Sequence, residues 1–190
     1  MPSRPILIHA LALLLSASAV ATAQTGAGAS ATGVRKDLIG QVAEAEQKFI
    51  ALAEAMPAEK YGWRPAAGVR SVSEVFMHMV GTNYMLPGMA GAKRKPDVAI
   101  TPDMEKKVVD KAQVVELLRK SFAFTKQAML DVPDDQLDTA AEFFGTKSTN
   151  RAVLVLIATH AHEHLGQSIA YARMNGVIPP WSRAASGGDR

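Results

Sequence analysis

The segment from Arg151 to Met174 constrains the fold of this chain most, because its apolar residues recur at helical spacing over its whole length. A helix of that length runs roughly 36 Å at the standard rise. Asn175 and Gly176 supply a left-handed cap after it, and Pro179 and Pro180 prevent its continuation. At about 100° per residue, with His160 at the origin, Val153, Leu156, Ile157, His164, Gln167, Tyr171 and Met174 all fall within about 60°. One stripe therefore faces a core, and its centre holds two histidines and a glutamine where aliphatic residues are expected. Burying such groups without partners costs roughly 1–3 kcal/mol each, so something must satisfy them.

The rest of the chain supplies the helices that this stripe needs. Leu38, Val42, Phe49, Ile50 and Leu52 recur at helical spacing between Val34 and Met56, and Pro57 ends the pattern. Residues 57–70 hold two prolines, two glycines, Tyr61 and Trp63, which reads as a loop whose aromatics lid one end of the core. Ser71 and Glu74 form a capping box that opens a second helix, expected to stop at Leu86 before Pro87 and Gly88. Lys93 to Pro102 is basic and without period, and Asp110 with Gln113 opens a third helix that runs to about Leu130. Antiparallel neighbours need only about 2–8 linking residues, so a connection this long can cross over and leave two consecutive helices parallel. Residues 131–150 read as irregular with a short turn at Pro133–Leu137, and no strand pattern outcompetes the helical one. The expected fold is an all-α four-helix bundle with one long crossover over residues 34–181, followed by a loose polar tail at 182–190.

The N-terminus carries a different message. Arg4, an apolar run from Ile6 to Leu15 and the small residues ending in Ala21-Thr22-Ala23 make a secretory signal peptide over residues 1–23, with cleavage before Gln24. The apolar run is broken by His9 and Ser16 and falls short of the roughly 20 residues that span a bilayer, so a stable membrane anchor is not expected. Residues 24–33 are mostly Gly, Ala, Ser and Thr and read as a flexible leader. The expected location is therefore periplasmic or secreted. There are no cysteines, which removes disulfides and thiolate catalysis. The 21 basic residues include Arg4, so the mature part carries 20 against 18 acidic ones, spread without a basic block; nucleic-acid binding has no support.

The histidines define the candidate site. His160 and His164, at i and i+4, point the same way and can share one ion. Core histidines can also be satisfied by backbone carbonyls or by each other, so the pair alone leaves both readings open. His162 lies at about 200° on the same wheel and reads as solvated. Glu163, at about −60°, flanks the site as an acceptor for an imidazole N–H, as a general base, or as a plain surface carboxylate. His78, midway along the second helix, is the remaining imidazole of the mature chain, while Thr82 and Asn83 near it read as ordinary bundle polars. Three histidines from two facing helices would leave one coordination position open, the mark of a catalytic site. The string His160-Ala161-His162-Glu163-His164 also matches the inverted zinc-protease motif H-x-x-E-H, but that motif needs a downstream carboxylate ligand. Only Asp189 follows, in the tail.

The run Met56-Pro57-Ala58-Glu59-Lys60-Tyr61-Gly62-Trp63-Arg64-Pro65, then Gly68-Val69-Arg70-Ser71-Val72, His78, His160-x-x-x-His164-Leu165-Gly166-Gln167 and Arg173-Met174-Asn175-Gly176-Val177-Ile178-Pro179-Pro180 resembles the DinB superfamily. The resemblance covers essentially the whole mature chain. It implies a four-helix bundle with a crossover, often assembled as a homodimer, and a divalent metal held by residues matching His78, His160 and His164. Similar members include metal-dependent thiol transferases that use cytosolic thiols and a maleylpyruvate isomerase. The expected function is an exported metal-dependent hydrolase or thiol transferase acting on a small molecule, with Glu163 or Gln167 orienting the reacting partner. The alternative is a non-catalytic metal-binding or scaffold bundle. Three imidazoles suit several metals, zinc and nickel first among them.

Overall fold

The computed structural model describes residues 32–101 and 103–182. The expected signal peptide, the leader up to residue 31 and the tail beyond Ser182 lie outside the described residues. Among the described residues five α-helices follow in chain order: α1 Gly33–Ala55, α2 Val72–Met89, the short α3 Met104–Lys107, α4 Lys111–Leu130 and α5 Asn150–Met174. The four long ones form the bundle. Each long helix packs on two others, α1 and α2 both against α4 and α5, so α1 lies diagonal to α2 and α4 diagonal to α5.

Helix directions follow from side-chain pairings. Asn83 meets Ser121, the rings of Tyr84 and Phe124 pack together, and Arg94 pairs with Asp131, so α2 and α4 run parallel, as the long connection between them allows. Arg35 at the start of α1 donates to the carbonyls of Leu130 and Val132 at the end of α4, and Lys111 at the start of α4 donates to those of Glu54 and Met56, so these two are antiparallel. The Arg35 guanidinium is buried, yet it also pairs with Asp134 at 2.8 Å, which offsets the cost of taking its charge out of water. The core between these helices is aromatic at its centre: the Phe49 ring lies 5.6 Å from Phe122 and 6.3 Å from Phe76, all fully buried.

The start of α2 is built as the sequence suggests. Ser71 Oγ accepts from the Glu74 N–H, and the Glu74 carboxylate accepts from the Ser71 N–H at 2.7 Å, completing the capping box. The loop before it adds two more acceptors, because the N–H groups of Val72 and Ser73 donate to the carbonyls of Trp63 and Tyr61. Tyr61 is buried and donates its hydroxyl to the Ala53 carbonyl at 2.8 Å, while Trp63 packs edge-on against Tyr171 of α5. Both aromatics therefore close the bundle end.

Three local expectations change. Helix α2 does not stop at Leu86 but continues through Pro87 to Met89. Proline removes one N–H, and so close to the end the loss is a single hydrogen bond, while the Leu86 and Pro87 carbonyls still accept from Ala90. Gly91, at φ +84°, then turns the chain where a Cβ would meet Asn150 at 3.1 Å. Second, residues 140–149 hold a small antiparallel hairpin, β1 Ala140–Phe143 and β2 Thr146–Thr149, turned at Phe144-Gly145. Four-residue strands are too short to show a period, so no pattern announced them. Third, the buried arc of α5 is centred about 90° from His160, near Ala161 and Ser168, and reaches on to Leu154, Ala158, Leu165 and Ala172, while Met174 is 62% exposed. Alanines carried no weight in the apolar stripe, yet small residues let α5 close onto α1; the histidine edge of the arc faces α2.

Candidate metal centre

His78 projects from α2 and His160 and His164 from α5, and the antiparallel packing of these helices brings the three rings together. Ring centroids lie 5.2 Å apart for His78 and His160, 4.7 Å for His78 and His164, and 4.5 Å for His160 and His164. One ring nitrogen from each lies within 4.8 Å of the others. His78 Nε2 and His160 Nε2 are 3.3 Å apart. That is about the edge of a tetrahedron whose corners sit roughly 2.0–2.1 Å from a central ion, the usual zinc–imidazole length. The donor set therefore fits a divalent ion.

Neighbouring side chains fix the tautomers. His78 Nδ1 lies 3.3 Å from a Glu105 oxygen and His164 Nδ1 lies 2.8 Å from Gln167 Oε1. Carboxylate and amide oxygens only accept here, so both Nδ1 atoms carry the proton and both Nε2 lone pairs are free for an ion. Gln167 is fixed in turn, donating from Nε2 to the Tyr171 hydroxyl at 3.0 Å. A chain of contacts thus runs from Trp63 through Tyr171 and Gln167 to His164. His160 Nδ1 is buried and has no hydrogen-bond partner among the described residues. Replacing Gln167 by leucine should weaken divalent metal binding about 10–100-fold, the usual cost of losing such an orienting group, in a competition titration against a chelating dye.

Electrostatics favours the neutral form of His78 and His160, the state in which imidazole binds metal. Burial pushes the pKa of His160 down to about 4, with His164, His78 and Arg70 adding repulsion. Burial also lowers that of His78, helped by Arg70 and His164 and opposed by Glu105. Unfolded, His160 takes up a proton near pH 6.5, whereas folded it resists until about pH 4, so the unfolded state binds more protons in that window. The metal-free protein should therefore be stable above that window and lose stability as pH falls from about 6.5 toward 4. Denaturant titrations across that range should show the His160→Gln variant with a shallower loss.

The other sequence candidates fall out differently. Glu163 is exposed and makes no hydrogen bond or ion pair with the three rings. The carboxylate that the structure brings to them is Glu105, from α3, bridging His78 and Arg70 Nε, the latter at 2.6 Å. No spacing rule ties Glu105 to His78, since it sits in the crossover, where side-chain direction cannot be read from a period. His162 is not solvated but half-buried, with Nε2 buried and unpartnered among the described residues. It lies toward α1, near enough for its charge to act on Glu44. Thr82 donates to the His78 carbonyl, and Asn83 donates to Ser121 Oγ at 3.1 Å, so both serve the bundle.

The profile of the DinB superfamily matches residues 41–168, which include all three histidines. The chain belongs to the DinB superfamily. Solved structures share the DinB fold at low identity: a DinB-like protein from Bacillus cereus ATCC 10987 is 19% identical, with a TM-score of 0.64 over 75% of this chain and 93% of that one. A DinB-like protein from Bacillus subtilis is 19% identical with a TM-score of 0.58, covering 75% and 94%. A conserved protein from Enterococcus faecalis is also 19% identical, with a TM-score of 0.59 over 75% and 97%. No curated protein matches the chain.

Proposed function

We propose that this DinB-superfamily protein is an exported metal-dependent enzyme, a hydrolase or thiol transferase working on a small molecule, with His78, His160 and His164 holding one divalent ion. The observation that carries this reading is the convergence of three imidazoles on one point, with no fourth protein ligand joining them among the described residues. Three protein ligands leave a coordination position for water or substrate, whereas structural sites close it. A bound ion would supply Lewis acidity at that position, lowering the pKa of a water or thiol there.

The protein's own groups would do the rest. Glu105 and Gln167 hold His78 and His164 in the tautomer that presents Nε2. Gln167 also lines the adjoining cleft, where its amide can orient a reacting group. Glu163, exposed beside the cluster, would act only on a substrate reaching it from outside. Zinc or nickel suits the all-imidazole set. Assembly as a homodimer belongs to the same reading and is checked by sedimentation.

The test is turnover. Protein purified without chelator is assayed on activated esters and on a thiol with an electrophile, before and after metal removal. Metal-dependent turnover of either class supports the enzyme reading; stoichiometric metal with no turnover favours a metal-binding bundle. Export has its own check: the natively produced chain should begin at Gln24 or within a few residues of it, and recovery of a chain starting at Met1 from the membrane fraction would overturn cleavage.

A further inference from the structure

Two clefts adjoin at Glu105, beside the histidine cluster, and they differ in chemistry. One, of about 610 Å³, is lined by Arg64, Arg70, Glu74, Glu105, Lys106 and Gln167 among others. The second, of about 500 Å³, is lined by His78 and Glu105 together with Met77, Tyr84, Met85, Ile100 and Met104. Glu105 belongs to both, so the two adjoin across the side chain that anchors His78. Gln167, which anchors His164, lines the first, and His78 itself lines the second. The metal centre therefore has a polar flank and an apolar flank.

The polar flank keeps a net excess of unpaired cationic donors. Its two carboxylates are engaged: Glu74 accepts from the Ser71 N–H and pairs with Arg64, and Glu105 pairs with Arg70 and His78. Arg64 is likewise occupied, by Glu74 and the Val69 carbonyl. Arg70 uses only Nε, so both its terminal nitrogens are without hydrogen-bond partners among the described residues, and its side chain is 40% exposed. Lys106, one residue beyond Glu105, is exposed and forms no ion pair among the described residues. A guanidinium with its two end N–H₂ groups free, next to an ammonium, is a ready receptor for a two-oxygen anion. On the apolar flank Met85 and Ile100 are 40% and 38% exposed, large side chains left in water at the edge of the groove.

We propose that the substrate is an amphipathic anion, whose carboxylate or phosphate head sits on Arg70 and Lys106 and whose hydrocarbon arm lies in the groove of Met85, Ile100 and Met104, so that the bond to be cleaved or attacked passes the three histidines. This names the substrate class of the site described above and rests on that reading. Arg70 thereby acts in head-group binding as well as in holding Glu105 against His78.

Octanoate and octyl phosphate serve as probes, titrated calorimetrically at low salt into metal-free and metal-loaded protein, with acetate and octanamide beside them. At least one octyl anion should bind ten-fold or more tighter than acetate and octanamide. Arg70→Gln and Lys106→Gln should each weaken it about five-fold or more. Ile100→Ser with Met85→Ser should weaken the octyl anions but not acetate. Unchanged melting temperatures would show that these surface variants fold. Octanamide binding as tightly as octanoate, or an Arg70→Gln, Lys106→Gln double variant that loses nothing, would overturn the proposal; so would anion binding that needs metal and ignores Arg70, since the head would then sit on the ion. Arg70-dependent binding by protein that takes up no metal would uphold the anion site while refuting the metal reading.

Discussion

Alanine at His78, His160 or His164 should each abolish stoichiometric binding of a divalent ion, whereas alanine at His162 should leave it intact. Losing an orienting neighbour of a ligand costs about 10–100-fold, and losing one of three ligands must cost more, so a drop beyond about 100-fold is expected at each position. His162 cannot substitute, because it lies on the α1 side of α5 while the three rings meet on the α2 side. The same variants should lose the thermal response to metal. Ion at a hundred times its Kd stabilises the folded state by about 2.7 kcal/mol, roughly 5–10 °C for a chain of this size. Calorimetric scans with and without ion should show that increment in the wild type and in His162→Ala only. Retention by His164→Ala together with loss by His162→Ala would mean that the helix register is wrong.

The second large effect concerns the bundle. Phe49→Ala should destabilise the protein by about 3–5 kcal/mol in denaturant titrations, because the ring is fully buried between Phe122 of α4 and Phe76 of α2. The ring packs on Phe122 and Phe76 rather than on the histidines, so metal affinity of the folded fraction should change far less than in the histidine variants. A cost below about 1 kcal/mol would show that the helices can collapse into the space, and that the aromatic cluster is not the centre of the core.

Much of this architecture is legible in the sequence for reasons that can be named. Capping residues and prolines act over three or four positions, so Ser71-Glu74, Asp110-Gln113 and Asn175-Gly176 mark helix ends within a residue or two. The i, i+4 pair His160 and His164 is equally local, and the length of the crossover allows α2 and α4 to run parallel. What depends on packing is harder to read. Ala158, Ala161 and Ala172 decide how closely α5 approaches α1, yet on a wheel they look indifferent, and so the stripe is misplaced by about a quarter turn. Glu105 meets His78 only because the crossover folds back over α2, and the four-residue hairpin strands are set by the turn at Phe144-Gly145 rather than by any period. The resemblance to the DinB superfamily singled out His78 as the third candidate ligand; the residues alone left it as the remaining imidazole.

X-ray absorption at the metal edge, on protein purified from its natural source without chelator or affinity metal, tests the centre most directly. About one divalent ion per chain, with three imidazole nitrogens at roughly 2.0–2.1 Å and at least one oxygen ligand from solvent, is the expected result. An ion bound without imidazoles, or protein that holds no ion under these conditions and takes none up on titration, would contradict it.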